Sequence, residues 1–183
     1  MTAEPAAVTP RLPEELRERI RAEFPNYPEK RAVLLTALHF TQETFEGWIP
    51  PEVVPEIAEL LELKKIEVWE VISFYAMYNS DPVGRCHLRV CVNLSCAMRG
   101  ARGLMRRLEE LLDVRAGEVS EDGDFSVGEV ECLGSCGTAP VIQVNNEVYR
   151  ENLTLEDMPK LLSELRERLS QRDAAEGDGA AES

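Results

Sequence analysis

At 183 residues and 44% hydrophobic content, the chain can form one medium domain, or a domain with a helical extension, and bury a core without help from disulfides. Its formal charge of -14 would set it against a phosphate backbone, which excludes an ordinary nucleic-acid role and otherwise serves solubility. The apolar runs 33–40 and 71–77 fall well short of the roughly 20 residues needed to cross a bilayer, so membrane association is expected only through partners.

Residues 1–12 are rich in Ala, Pro and Thr and are expected to form a flexible leader. They carry neither an apolar signal core nor an arginine-rich amphipathic pattern, so the expected compartment is the cytoplasm. Residues 13–80 read as a helical domain. Pro13 suits a first helical turn, and Glu14 and Glu15 complement the positive end of the helix dipole, predicting a helix to about Glu23. Pro25 and Pro28 break it. Pro28 opens a second helix in which Val33, Leu34, Ala37, Leu38, Thr41 and Phe45 keep helical spacing, and Gly47 ends it. Pro50 and Pro51 mark a third, bearing Val54, Ile57, Ala58, Leu60 and Leu61. Ile66 to about Tyr75 forms a fourth, with Val68, Val71, Ile72 and Tyr75 on one stripe. These stripes predict mutual packing in a small bundle or arm; the surface around Trp48 and Tyr78 is a candidate docking patch.

The run from Asn79 to Gly84 is a turn cluster and marks the domain boundary. Beyond it, residues 81–170 change period. His87 to Val92 alternates as a strand does, and Met98 to Leu112 predicts a helix with Leu104, Leu108, Leu111 and Leu112 inward. A turn at 121–124 leads to a strand over Phe125 to Glu131. Val141 to Val144, a tight turn at Asn145 and Asn146, and Glu147 to Tyr149 read as a hairpin. A last helix from Thr154 to Ser170 is signalled by Thr154 with Asp157 three residues on. The order β-α-β-β-β-α predicts an α+β chain: an N-terminal helical bundle, then a four-stranded mixed sheet with flanking helices. Residues 171–183, made mostly of Ala, Gly, Asp and Glu, are expected to form a disordered acidic tail.

Four of the five cysteines form two close pairs, Cys91 with Cys96 and Cys132 with Cys136, separated by 35 residues. In a reducing compartment such a set reads as metal ligands rather than disulfides. Four thiolates suit either a 2Fe-2S cluster or a structural zinc. The C-x4-C spacing stands at the edge of the short zinc loops, about two to four residues inside each pair, so iron is favoured. The plant-type ferredoxin pattern continues from C-x4-C to C-x2-C, which this chain lacks.

The motifs at 91–96 and 130–140, together with 27–32, 47–50, 68–75 and 82–84, resemble the thioredoxin-like 2Fe-2S subunit of respiratory NADH-quinone oxidoreductase, the bacterial complex I. The likeness spans roughly residues 13–169. It implies a thioredoxin-like fold for 81–170, and one 2Fe-2S cluster held by Cys91, Cys96, Cys132 and Cys136. It also implies an electron-transfer role in which FMN and NADH belong to a neighbouring flavoprotein subunit, with further iron-sulfur subunits nearby. The chain would then sit in the cytoplasm, peripheral to the inner face of the membrane through the complex. The related small subunit of an NAD-linked hydrogenase or formate dehydrogenase shares the motifs. From other classes, a zinc-stabilised interaction module remains open, and a thiol-redox protein is disfavoured because no C-x-x-C couple is present.

The chemistry around the cysteines is consistent with this. Small residues such as Gly134 and Gly137 allow backbone N–H groups to approach sulfur, and Ser95 and Ser135 could add hydroxyl donors. Glu129 and Glu131 would lower the potential of a cluster, whereas Arg99 and Arg102 would raise it, and a low-potential one-electron centre is expected. Cys86 also stands C-x4-C from Cys91 but reads as a structural thiol. His39 and His87 read as ordinary residues, and Pro140 is a candidate cis proline. Neither dinucleotide nor P-loop phosphate motifs occur, so nicotinamide chemistry, which moves two electrons as hydride, needs a flavin elsewhere.

Overall fold

A computed structural model describes residues 10–180, with side chains to residue 175. The chain divides into two compact units, Met1–Pro82 and Val83–Ser183. Most of the expected leader lies outside the described residues. Leu12, at its end, is 4% exposed and belongs to the first unit's core.

The first unit is helical: α1 (Glu14–Ala22), α2 (Leu34–Thr44), α3 (Val54–Leu60) and α4 (Lys65–Phe74). The proline signals at 50 and 51 produce a single 3-10 turn, Pro51–Val53, before α3 begins. Likewise Lys30–Val33 is 3-10, so α2 starts later than the proline at 28 suggests. Gly47 adopts φ +100 and its N–H bonds back to the Gln42 carbonyl, which closes α2. The helices bury Ile20, Val33, Leu38, Ile57 and Val68 against one another, and each such side chain contributes about 1.5–3 kcal/mol of transfer free energy.

Tyr78 is part of this core rather than of a docking patch. Its side chain is 6% exposed, its hydroxyl donates to the Leu35 carbonyl, and its ring packs edge-on against His39. The buried Gln42 side chain holds the adjoining segment at both ends, donating to the Met77 carbonyl and accepting from the Asn79 N–H.

The second unit contains β1 (Cys86–Cys91), α5 (Leu94–Met98), α6 (Ala101–Leu112), β2 (Phe125–Val130), β3 (Ile142–Val144), β4 (Val148–Arg150) and α7 (Met158–Ala180). The four strands form one mixed sheet in the order β2-β1-β3-β4, with β1 parallel to β2 and antiparallel to β3. Alternation sends Leu88, Val90, Phe125, Val127, Ile142 and Val144 into the core shared with Leu104, Leu108, Leu161 and Leu165 of the helices. The asparagine pair at 145 and 146 takes φ of +52 and +61, the left-handed conformation that a two-residue hairpin turn requires.

Two boundaries differ from the sequence reading. The segment after Cys91 reads as a loop in sequence but contains α5, capped by Asn93, whose side chain accepts from the Leu94 N–H. Gly100, at φ +92, then restarts the chain as α6. The final helix passes residue 170 and reaches Ala180. Alanine favours helix over this stretch, and Asp173 on it accepts a hydrogen bond from Arg85. Residues 181–183 of the expected tail lie outside the described residues.

Candidate metal centre

Parallel pairing of β1 and β2 explains how cysteines so distant in sequence reach one end of a sheet. Cys91, the last residue of β1, is in register with Val130, the last residue of β2. Cys96 follows on α5, and Cys132 and Cys136 follow in the turn beyond β2. The third strand enters from the same end, with the Cys91 N–H donating to the Val141 carbonyl. The Ala139–Pro140 bond just before it is cis.

Cys91 and Cys96 are buried, whereas Cys132 and Cys136 are exposed, and all four are free thiols. Burial pushes the Cys96 thiol up, as do its hydrogen bond with Cys91 and the nearby Cys91 and Cys136 sulfurs; a backbone hydrogen bond from Val141 opposes them. Cys96 is therefore within electrostatic reach of both Cys91 and Cys136. The fourth, Cys132, accepts a hydrogen bond from the Gly134 N–H at 3.4 Å, which Gly134 delivers from a left-handed φ of +72.

Among the described residues, no three Cys, His, Asp or Glu side chains stand close enough to grip one metal ion. A structural zinc needs four donors about 2.3 Å from a single point. A di-iron cluster takes two thiolates at each iron, so its ligands come as pairs. The donors, soft thiols from two loops with backbone N–H groups bonded to Cys96 and Cys132, have the chemistry to hold such a cluster.

The loop bearing Cys132 and Cys136 is tied down by residues that the sequence pattern did not mark. Glu151 accepts from the Thr138 hydroxyl at 2.7 Å and from the Ser135 hydroxyl; these two hydroxyls are also 2.6 Å apart. Tyr149 donates to the Leu133 carbonyl, and the Asn152 N–H donates to the Thr138 carbonyl. Ser135 is thus engaged with a carboxylate and a second hydroxyl, rather than with sulfur as its sequence position suggested. Glu129, Glu131, Arg99 and Arg102 are all exposed.

Cys86 is the first residue of β1 rather than a residue before it, and lies in the apolar core. His87 is hydrogen-bonded through Nδ1 to Ser126 at 2.7 Å, and burial followed by the charge of Arg89 pushes its pKa down to about 4.

A four-stranded mixed sheet with cysteine loops at one end and helices α6 and α7 packed on its core places the second unit in the thioredoxin-like class, within an α+β chain. The family of thioredoxin-like [2Fe-2S] ferredoxins matches residues 20–166, and the chain belongs to that family. It is 48% identical over 145 residues to NADH-quinone oxidoreductase subunit 2 of Thermus thermophilus, covering 78% of this chain and 80% of the relative. It is 38% identical over 151 residues to an NADH-quinone oxidoreductase subunit of Rhizobium meliloti, covering 82% and 89%. Among solved structures, an NAD+-reducing [NiFe]-hydrogenase in the air-oxidized state shares the fold, with a TM-score of 0.61 at 20% identity. That likeness covers 74% of this chain but only 23% of the hydrogenase chain.

Proposed function

We propose that this chain is an electron-transfer subunit of an NADH-quinone oxidoreductase. In this reading Cys91, Cys96, Cys132 and Cys136 hold one 2Fe-2S cluster, which supplies one-electron chemistry when bound. The observation that carries it is the convergence of two cysteine loops at one end of a parallel strand pair, in register at Cys91 and Val130, in a chain of the thioredoxin-like [2Fe-2S] ferredoxin family. The curated relatives, matched over four-fifths or more of their length in the two examples above, carry the names of subunits of that oxidoreductase.

The residues of the chain itself then have distinct tasks. Buried Cys91 and Cys96 anchor one side of the centre on β1 and α5, while exposed Cys132 and Cys136 present the other side toward solvent or a partner. The Gly134 N–H is a donor for thiolate charge, and Glu151 and Tyr149 hold the outer loop in place. The electron partner is FMN in a neighbouring NADH-oxidising flavoprotein subunit, because a one-electron centre meets hydride chemistry only through a flavin. Other iron-sulfur subunits complete the surroundings. No helix among the described residues is long and apolar enough to cross a membrane, so attachment to the inner face of the cell membrane runs through the complex.

Anaerobic purification with reconstitution tests this directly. The expected product is brown, contains iron and acid-labile sulfide in equal amounts, bleaches with dithionite and then gives an electron paramagnetic resonance signal. Serine variants of the four cysteines lose the colour. Colourless material containing zinc, or material without iron or sulfide after reconstitution, overturns the proposal. Co-purification with an FMN-containing subunit tests the partner separately.

A further inference from the structure

The second unit has a cavity of about 190 Å3 between the β3–β4 hairpin and α7, lined in part by Arg150, Arg168, Arg172, Glu147 and Cys86. Its charge runs against the rest of the molecule. The chain as a whole carries -14, yet this cavity gathers three guanidiniums and one carboxylate in its lining. Glu164 bridges two of them, accepting from Arg150 at 2.5 Å and from Arg168 at 2.8 Å. Even with Glu164 counted, the cations exceed the anions.

A second observation points the same way. Arg150 Nε is buried and has no hydrogen-bond partner among the described residues. Buried donors are nearly always satisfied, so the unpaired Nε shows that the hydrogen-bonding capacity of Arg150 is not used up within the fold. The cavity is far larger than the roughly 10–15 Å3 that one water needs on the same measure, so it has room for a small tetrahedral oxyanion. Guanidinium forks match phosphate oxygens in planarity and spacing, and they bind such groups through paired charge-assisted hydrogen bonds.

We infer that this cavity is a phosphate-binding site, independent of the cysteine loops, that takes inorganic phosphate or the terminal phosphate of a small metabolite. Arg150 anchors it on β4, where its stem and its bond to Glu164 fix the guanidinium. Arg168 and Arg172, one helical turn apart on α7, are the exposed guanidiniums of its lining. The site goes beyond the electron-transfer reading and does not depend on it.

The test is calorimetric titration of the full, cluster-loaded chain at low ionic strength with inorganic phosphate, glycerol phosphate and acetate. The expected result is saturable phosphate binding, roughly tenfold weaker in either Arg168→Gln or Arg172→Gln. Both variants change exposed helix positions, and a thermal melt checks that each remains folded. Arg107→Gln, elsewhere on the surface, is expected to bind as the parent does. Glycerol phosphate binding as well as phosphate assigns the site to phosphomonoesters; phosphate binding alone assigns it to the free ion. Acetate binding as tightly as phosphate, no saturable phosphate binding, or unchanged binding in both variants overturns the proposal.

Discussion

Glu151, just beyond β4, accepts the Thr138 hydroxyl at 2.7 Å and so ties the turn carrying Cys136 to the edge of the sheet. Its hydrogen bonds from Ser135 and then Thr138 hold its carboxyl below the ordinary value of 4.5. A carboxyl with a depressed folded pKa stabilises fully above its unfolded value, and that contribution is lost as pH falls through the folded one. Glu151→Ala is therefore expected to release iron to a chelator several-fold faster at neutral pH, with Glu151→Gln in between because its amide oxygen can still accept. The measurement is the decay of the visible bands. Unchanged release in both variants would remove Glu151 from any role in the loop.

Gly84 sits where the chain enters the second unit, with its N–H donating to the Ser126 hydroxyl. A Cβ at this position would lie 2.3 Å from the Phe125 backbone carbon, and a strand backbone cannot yield as a flexible side chain does. Gly84→Ala is expected to cost about 2–4 kcal/mol by forcing β1 and β2 apart. Gly137→Ala, with nothing within 4 Å of the added carbon, is expected to be near neutral. Urea unfolding of the two variants compares them.

The contrast between these glycines shows what a sequence can and cannot convey. Helix positions in the first unit and strand positions in the second are written in periodicity, because Leu88, Val90, Phe125 and Val127 alternate and Leu104 and Leu108 recur at helical spacing. The cysteine pairs are legible through spacing alone. The brace from Glu151 and Tyr149 to the outer cysteine turn is not, since it joins residues 13–16 apart through a hairpin whose pairing must first exist. Arg89 is similar. Alternation places it opposite Leu88, yet it is 4% exposed and bonded to the Asn146 side chain, an outcome that no local pattern encodes. The helix over Leu94–Met98 escaped because a single turn has too few residues to show a period.

His87 carries a pH dependence of known sign. Burial first, and Arg89 second, lower its pKa from 6.5 to about 4, so the unfolded chain binds the proton more readily than the folded one. Stability on this account is complete above about pH 6.5 and declines as pH falls toward 4, by about 2 kcal/mol at pH 5. His87→Asn, which keeps a hydrogen-bonding side chain beside Ser126 but cannot titrate, is expected to flatten that part of the profile. Urea midpoints for the parent and variant at pH 7 and pH 5 provide the check; equal losses in both proteins would assign the acid sensitivity to other groups.

Cys86 and Cys91 have the same sequence spacing as Cys91 and Cys96, so the ligand assignment turns on where each side chain lies. Cys86 opens β1 opposite Phe125, is 5% exposed within the apolar core, and its thiol is pushed up by burial and then by the Asp124 charge, which keeps it protonated. Cys91 lies five residues along the same strand, at the end where Cys96, Cys132 and Cys136 enter. Cys86→Ala is expected to retain the full iron and sulfide content while losing about 1 kcal/mol of stability for the smaller buried side chain. Cys96→Ala is expected to lose the cluster. Iron analysis and visible spectra of the two reconstituted variants decide between the pairs: a colourless Cys86→Ala beside a brown Cys96→Ala would shift the ligand set one pair toward the N-terminus.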